Sequence, residues 1–246
     1  MSMVQPRSSD PLSATFDMVR IINLPNRVDR RKGAVATLRG LGAEIDGRRI
    51  AFHEATRPDS AGGFPTIGTR GCFLSHLGAL QAARAAGATS LLILEDDVAI
   101  SRSEMARLPG TLAALAREPW DVFYGGSPAT ETTSPLSPVA PDEAVMLAHF
   151  IAFSKPAIAA LVPYLEAILA REPGSPEGGP MHVDGAYSWF RAARPDLRAF
   201  AATPHIAHQQ SSRTDIHALG SSDTNALLQP LLQVARSIKN AIRNRS

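Results

Sequence analysis

The sequence predicts an α/β fold, organised as a single domain around a mostly parallel central sheet. Residues 91–94 are four consecutive apolar residues, Leu-Leu-Ile-Leu, which suit a parallel strand that is buried on both faces. Strand-like and helical segments alternate along the chain, as they do in βαβ units. The 246 residues, of which 44% are hydrophobic, are enough to bury one substantial core.

Composition and charge exclude several classes of protein. The only cysteine is Cys72, so an intrachain disulfide is excluded and a reducing compartment is expected. A net charge of +2 argues against a nucleic-acid-binding protein. The chain has no apolar run of about 18 residues that could span a membrane. Residues 1–10 also lack the apolar segment of a secretory signal. We therefore expect a cytoplasmic protein.

The first elements follow from local composition. Residues 1–17 are polar with scattered Pro and Ser, and they predict a loose N-terminal arm. Residues 18–24 are mostly apolar and predict the first strand, which Pro25 ends. Apolar residues on one face predict a helix over residues 27–40. We expect the main domain to extend over residues 18–216.

The next segments lead to the apolar run. A short second strand is expected around Ile45 or within residues 50–52, and residues 57–69, which are rich in Pro and Gly, predict a loop. A stripe of leucines predicts a helix over residues 71–86, and Gly87 suits the C′ position that ends it.

The second half of the chain predicts further helices and strands separated by two long loops. Ser154 suits an N-cap, and Pro163 is expected to kink or split the helix that follows. The first loop has the composition of a functional lid, and a simply unstructured segment is equally compatible. The expected helices are 104–117, 154–171 and 182–190, the strands are 120–124, 144–153 and 197–203, and the loops are 127–142 and 172–180.

Residues 217–246 form a predicted appendage. Its helix, residues 227–245, is apolar on one face and basic towards its end. A basic amphipathic helix suits peripheral contact with an anionic membrane surface, here the inner face of the membrane. A helix that packs on the protein or between copies is equally compatible, and the sequence does not determine the oligomeric state.

Three carboxylates, Glu95-Asp96-Asp97, stand where the apolar strand is expected to end. Ligands of open α/β sheets bind just beyond the carboxyl ends of the strands. Adjacent carboxylates repel one another, and Mg²⁺ or Mn²⁺, which prefer oxygen ligands, would relieve the repulsion. Extended geometry predicts that Glu95 and Asp97 point to one side and Asp96 to the other. The alternative is a solvated acidic turn.

Basic residues crowd the start of the predicted helix 27–40, namely Arg27, Arg30, Arg31 and Lys32. A helix N-terminus is already positive, so a bound anion such as a phosphate would explain these cations. A solvated basic face is the alternative. Further along the chain, His76 is either a core histidine or a phosphate donor.

Four segments, in this order, resemble glycosyltransferase family 25, which contains bacterial lipooligosaccharide galactosyltransferases and collagen galactosyltransferase domains. Together they span roughly residues 19–216. The segments are residues 21–31, with Ile-Ile-Asn-Leu followed by Arg27 and Asp29-Arg30-Arg31; residues 71–76, Gly-Cys-Phe-Leu-Ser-His; residues 93–98, Ile-Leu-Glu-Asp-Asp-Val; and, more weakly, residues 148–155 with Asp184 and Gln209.

The resemblance implies a GT-A-type, Rossmann-like nucleotide-diphosphosugar transferase fold. It also implies an inverting, metal-dependent transfer of galactose from UDP-galactose to a lipooligosaccharide, a lipopolysaccharide or another cell-envelope glycan or glycolipid. A divalent ion would stabilise the charge that builds up on the departing diphosphate. A metal-dependent nucleotide-sugar phosphohydrolase and a non-catalytic nucleotide-sugar-binding protein are the alternatives.

The resemblance also suggests roles for individual residues. Glu95 and Asp97 would bind Mn²⁺ or Mg²⁺, and His208, with His205 as its rival, would complete the metal site. Asp184 would be the catalytic base that takes the proton of the acceptor hydroxyl, or else a simple helix cap. The residues expected to bind the nucleotide sugar are Asn23, Leu24, Arg27, Arg30, Ser75, His76 and Asp96.

Overall fold

The computed structural model describes residues 10–126 and 133–209. Within these ranges, helices pack on both faces of a seven-stranded sheet, and two short strands form a second sheet. The helices are α1 (Pro11–Thr15), α2 (Val28–Gly40), α3 (Ile67–Ala85), α4 (Arg102–Leu115), α5 (Lys155–Ala170) and α6 (Val183–Ala193). The strands are β1 (Met18–Asn23), β2 (Ile50–Glu54), β3 (Ser90–Glu95), β4 (Val98–Ala99), β5 (Val122–Tyr124), β6 (Leu136–Val139), β7 (Phe150–Ser154), β8 (Ala199–Ala202) and β9 (His208–Gln209).

The large sheet has the strand order β2-β1-β3-β7-β5-β8-β6. Strand β1 pairs in parallel with β2 and β3, and β5 pairs in parallel with β8. Strands β6 and β7 run antiparallel to their neighbours, so five of the seven strands point the same way. The predicted α/β fold with a mostly parallel central sheet is confirmed.

Strand β3 contributes to the core on both of its faces. Leu91 and Ile93 belong to the apolar cluster with α3, α5 and α6, and Leu92 and Leu94 belong to the cluster with α1, α2 and α4. All four side chains are at most 1% exposed. Alternating side-chain directions in a strand explain the division, and the prediction of a doubly buried strand is confirmed.

The N-terminal segment differs from the predicted loose arm from residue 10 onward. The Asp10 side chain caps α1 and accepts a hydrogen bond of 2.8 Å from the Ser13 N–H. Leu12 and Phe16 are 0% and 1% exposed, and the Phe16 ring packs edge-on against Trp120. Two apolar residues are too few to produce a periodicity, so only their tertiary contacts reveal that this segment belongs to the core.

Part of the segment predicted to lack structure, residues 127–142, forms β6. Pro138 is tolerated in this strand because β6 lies at the edge of the sheet. The buried Arg191 guanidinium on α6 donates to the Ala140 carbonyl at 2.7 Å and holds the end of β6 against the core. A long-range contact of this kind leaves no signature in local composition.

Two helix boundaries also differ from the prediction. Helix α3 begins at Ile67, inside the predicted loop, because Thr66 acts as N-cap and accepts from the Thr69 N–H at 3.0 Å. Helix α5 continues through Pro163 and is not split there. The predicted C′ position of Gly87 is consistent with its φ of +68°.

Some predicted features lie outside the described residues. They include the C-terminal appendage, residues 217–246, with its helix at 227–245, and residues 127–132 of the first long loop. Among the helices that the structure does describe, none combines the length and the apolar character needed to cross a bilayer.

Candidate functional site

The carboxyl ends of three neighbouring strands meet at one edge of the sheet. Because β1, β2 and β3 are parallel, Asn23, Glu54 and Glu95 lie at the same edge. A cavity of about 420 Å³ opens at this edge beside the first turns of α2 and α3, and a further cavity of about 580 Å³ adjoins it at Leu24 and Arg57. The first of these is here called the large cavity, to distinguish it from a smaller one described below. The sequence-predicted residues that line the large cavity are Leu24, Arg27, Arg30, Ser75, His76, Glu95, Asp96 and Asp97.

The acidic trio does not keep the extended geometry of β3. The strand ends at Glu95, and Asp96-Asp97 form a turn before β4. One guanidinium nitrogen of Arg30 lies 3.0 Å from Asp96 Oδ1 and 3.2 Å from Asp97 Oδ2. Glu95 Oε1 instead lies 3.3 Å from His76 Nε2. The expected extended geometry therefore ends at Glu95, because the backbone turns there, and whether Glu95 and Asp97 act together on a cation stays a prediction.

Asn23, at the end of β1, orients Asp96. Its Nδ2 donates to Asp96 Oδ2 at 2.7 Å and to the Arg27 carbonyl at 3.3 Å. Arg30 donates to the other Asp96 oxygen. Both carboxylate oxygens of Asp96 are therefore occupied by protein donors.

Asp97 has a free oxygen in the acidic cluster. Its Oδ2 accepts from Arg30 and from Gln209 Nε2, the latter at 3.0 Å. Its Oδ1 is buried and has no hydrogen-bond partner among the described residues, and the same holds for Asn23 Oδ1. Burial, helped by the charges of Glu95 and Asp96, raises the pKa of Asp97 above its ordinary value. Unpartnered oxygens beside several carboxylates fit a hard divalent cation such as Mn²⁺ or Mg²⁺.

Glu95 is held in its ionised form. Burial alone would raise its pKa, but the hydrogen bond to His76 and the charges of His76 and His149 outweigh burial and lower the pKa. His76 is fully buried, and its Nδ1 lies 2.9 Å from the hydroxyl of the buried Tyr187. His76 is therefore a core histidine that also orients a carboxylate of the site.

Ser75 has a structural role in the wall of the large cavity. Its hydroxyl accepts from the Thr56 N–H at 2.8 Å and donates to the Gly71 carbonyl at 2.6 Å. These bonds hold the loop after β2 against α3. That loop also brings Arg57, an exposed cation that was missed at the sequence level, to the large cavity. Only its place just after a strand end could have indicated it.

The basic cluster at the start of α2 divides among different partners. Arg27 makes two hydrogen bonds to Asp29, at 2.9 and 3.0 Å, which lower the pKa of Asp29 to about 2. Arg30 contacts the acidic turn, and the Arg31 guanidinium lies 3.8 Å from the centre of the Phe52 ring. Asp29, the acidic turn and the Phe52 ring thus provide protein partners for Arg27, Arg30 and Arg31. Arg27 and Arg30 nevertheless line the large cavity.

A small cavity of about 220 Å³ contacts the same wall, since Cys72 and Glu95 line both it and the large cavity. Asp184 lines the small cavity from the first turn of α6, where its Oδ1 accepts from the Gly185 N–H at 2.7 Å. Leu147 lines it as well, with a φ of +119°, unique among the described non-glycine residues in being positive. Such backbone strain concentrates at functional sites.

The structure does not bring His208 to the acidic cluster. His208 Nδ1 lies 3.0 Å from Glu104 Oε2, and His205 Nε2 lies 3.3 Å from Glu104 Oε1. Because neighbouring residues of a strand point to opposite sides, it is Gln209 of β9 that reaches Asp97. Neither histidine has a described contact with Glu95 or Asp97.

Comparison with known proteins supports the resemblance seen in the motifs. No family model matches the sequence. A human protein described as inactive glycosyltransferase 25 family member 3 is 30% identical over 139 residues, which are 48% of this chain and 23% of the human protein. The chain therefore spans less than a quarter of that relative's length. This relative confirms the resemblance to glycosyltransferase family 25.

Two solved structures are distantly similar. Mannose-1-phosphate geranyltransferase from Thermus thermophilus has 17% identity and a TM-score of 0.36, over 76% of this chain and 58% of that chain. A glycosyltransferase involved in the glycosylation of the major capsid of PBCV-1 has 11% identity and a TM-score of 0.35, over 75% of this chain and 93% of that chain. Likeness this distant does not bear on the reaction of this chain.

Proposed function

We propose that this protein is a glycosyltransferase that moves a hexose from a nucleotide-diphosphate sugar to a glycan or glycolipid. The observation that carries the proposal is the pair of cavities that meet at Cys72 and Glu95. A transferase must hold a donor and an acceptor side by side, whereas a phosphohydrolase needs one substrate site. The small cavity, with Asp184 in its wall, therefore favours transfer over hydrolysis.

The large cavity is the proposed donor site. Arg27, Arg30 and Arg57 line it and supply positive charge for two phosphate groups. Leu24 and Ile22 add apolar surface beside them. The resemblance to family 25 points to UDP-galactose as the donor.

Glu95 and Asp97 are the proposed ligands of Mn²⁺ or Mg²⁺. The unpartnered Asp97 Oδ1 supports this role, because a buried carboxylate oxygen without a hydrogen-bond partner, beside other carboxylates, is suited to bind a cation. When bound, the ion would neutralise the charge that develops on the departing diphosphate. Arg30 would hold Asp96 and Asp97 in place during this step.

Asp184 is the proposed base in the small cavity. Its carboxylate would take the proton of the acceptor hydroxyl as the hydroxyl oxygen forms a bond to the anomeric carbon and the bond to the diphosphate breaks. Attack from the side opposite the diphosphate inverts the anomeric centre. By the resemblance, the acceptor would be a lipooligosaccharide, lipopolysaccharide or another cell-envelope glycan. The cytoplasmic location and the membrane contact through residues 227–245 remain predictions.

The test is a screen of UDP-sugars with Mn²⁺, Mg²⁺ or a chelator, with and without envelope glycan, in which the release of UDP is measured. We expect release that requires both the cation and the acceptor, and that is fastest with UDP-galactose. Release of a sugar phosphate without acceptor would indicate a phosphohydrolase. UDP binding without any turnover would indicate a binding protein. Either result would overturn the proposal.

Asp184→Asn tests the base directly. Loss of a general base lowers turnover by about 10²–10⁴-fold, and we expect such a loss in kcat with UDP-sugar affinity unchanged. Asp184 lies in the first turn of α6, whose N-cap is His182, and asparagine has the same shape and can still accept from the Gly185 N–H, so the fold should persist. The matched control is Asp196→Asn, because Asp196 is an exposed partner of Arg194 that lines neither cavity. A kcat equal to that of this control would exclude Asp184 as the base.

A further inference from the structure

A second group of metal-ligating side chains lies in the wall between the two cavities, apart from the oxygen-only turn of Asp96-Asp97. Cys72 and His76 are four residues apart on α3, so they project from the same face of the helix. Glu95 approaches them from the end of β3. Sγ of Cys72, a ring nitrogen of His76 and a carboxylate oxygen of Glu95 all lie within 4.8 Å of one another.

We propose that Cys72, His76 and Glu95 form a binding site for a thiophilic divalent cation, of which Zn²⁺ is the common biological case. A tetrahedral zinc ion with bonds of about 2.0–2.3 Å holds its ligand atoms roughly 3.3–3.5 Å apart. The observed separations from Glu95 Oε1 are 3.3 Å to His76 Nε2 and 3.8 Å to Cys72 Sγ. Small rotations of side chains would thus complete three ligand bonds.

The surroundings of His76 favour this role. Its Nδ1 lies 2.9 Å from the Tyr187 hydroxyl. In the metal-free chain, the tautomer with a proton on Nε2 donates to the Glu95 carboxylate. Metal binding would require the other tautomer, in which Nδ1–H donates to the Tyr187 oxygen and the Nε2 lone pair is free to bind the ion. Metal-binding histidines usually have such a partner on the other ring nitrogen, which fixes the tautomer and the ring orientation.

The place of the cluster leaves a path and an open position for the ion. His76 is fully buried, whereas Cys72 and Glu95 line both cavities, so an ion can enter from either one. Three protein ligands leave the fourth position to water or to a substrate group. Binding releases the thiol proton of Cys72 to solvent, because the thiolate is the form that ligates.

The two clusters should differ in the cation that they prefer. The Asp96-Asp97 turn offers only oxygen atoms and suits Mn²⁺ or Mg²⁺, whereas a thiolate and an imidazole favour zinc. Both clusters depend on Glu95. If the proposed transferase function holds, zinc in the shared wall would remove Glu95 from the manganese site and obstruct contact between donor and acceptor, so zinc would inhibit the enzyme.

The experiment is a titration of the full chain with Co²⁺, without any sugar nucleotide, followed by near-ultraviolet absorption from thiolate-to-cobalt charge transfer. Because Cys72 is the only cysteine of the chain, this band reports the proposed site alone. We expect the band to saturate at one cobalt per chain and to disappear on addition of Zn²⁺ but not of Mn²⁺. A chain that transfers no sugar would still show the band, so this test is independent of the proposed function.

Two variants complete the test. Cys72→Ser should abolish the band and weaken zinc binding more than about tenfold, since even partners outside the ligand set are worth 10–100-fold. Glu95→Gln should keep a cobalt band but require roughly tenfold more metal. His205→Ala, an exposed histidine outside the cluster, is the control and should change neither value. Circular dichroism checks that each variant is folded.

Two results would overturn the proposal. One is a wild-type chain without a thiolate band at saturating cobalt. The other is a folded Cys72→Ser variant that binds zinc as tightly as the wild type. Tyr187, His76 and Cys72 would then serve only to orient Glu95 through their hydrogen bonds.

Discussion

Asp97→Asn is expected to lower turnover by about 10³-fold, the loss seen when a group that stabilises transition-state charge is removed. Asparagine keeps the shape of the side chain and an acceptor oxygen for Arg30 and Gln209, but it removes the charge that would hold the cation. The measurement is cation-dependent release of UDP from UDP-galactose. Asp59→Asn, at an exposed position that lines neither cavity, is the control and should retain full activity.

The same substitution should not destabilise the protein. Because burial and the charges of Glu95 and Asp96 raise the pKa of Asp97, the folded chain holds this proton more tightly than the unfolded chain. Stability therefore falls as the pH rises through the interval between the unfolded and the folded pKa, and ionised Asp97 is unfavourable above it. Asp97→Asn removes this penalty, so its melting temperature at neutral pH should equal or exceed that of the wild type.

Thermal melts with and without Mn²⁺ show whether Asp97→Asn loses activity because it no longer binds the cation. Mn²⁺ should raise the melting temperature of the wild type and of Asp59→Asn, because a ligand that binds only the folded state stabilises it. It should have little effect on Asp97→Asn. An equal shift in all three proteins, or full activity in Asp97→Asn, would contradict the assignment of Asp97 as a metal ligand.

Gly125→Ala is expected to destabilise the fold by about 2–3 kcal/mol, in the range of overpacked cores. A Cβ at this position would lie 2.4 Å from Cδ1 of Phe150, whose ring is 1% exposed and packs edge-on against Phe123. The backbone cannot retreat, because the Gly125 N–H donates to the Phe150 carbonyl and the Gly125 carbonyl accepts from the Ile206 N–H. Urea denaturation measures the loss.

The matched control is Gly110→Ala. Gly110 lies in α4, and a Cβ there meets no atom within 4 Å. Alanine has the higher helix propensity, so this variant should gain about 0.5–1 kcal/mol. If Gly125→Ala were as stable as Gly110→Ala, the close packing of Gly125 against Phe150 would not be a constraint on the fold.

The contrast between Gly125 and the acidic trio shows where sequence reasoning succeeds. Gly125 and Gly126 lack a Cβ, which allows the backbone to approach a neighbour closely, but the residue type does not identify that neighbour. The structure identifies the neighbours as Phe150 and His149 on β7 and just before it, and β7 is antiparallel to β5. For Glu95-Asp96-Asp97, the apolar residues before the trio predict its place at a strand end correctly, because burial on both faces requires an uninterrupted apolar run.

The directions of the acidic side chains required the structure. Extended geometry predicts alternation, but the chain turns after Glu95, and Arg30 draws Asp96 and Asp97 together across 66 and 67 positions of sequence. The assignment of His208 depended on the same kind of information. In the pairing of β9 with β4, Gln209 lies opposite Val98 and His208 lies opposite Ala99. This register places the Gln209 side chain, and not that of His208, against Asp97.

By itself, the sequence determined the α/β class, the doubly buried strand β3 and the acidic turn at its end, because these depend on residues that are close together in the chain. Only the tertiary structure decided that His76 orients Glu95, that Asp184 faces a separate cavity and that Cys72 stands between the two cavities. The physical reason is that strand pairing and helix packing bring distant segments into contact, and apolar periodicity records which face is buried but not what it is buried against.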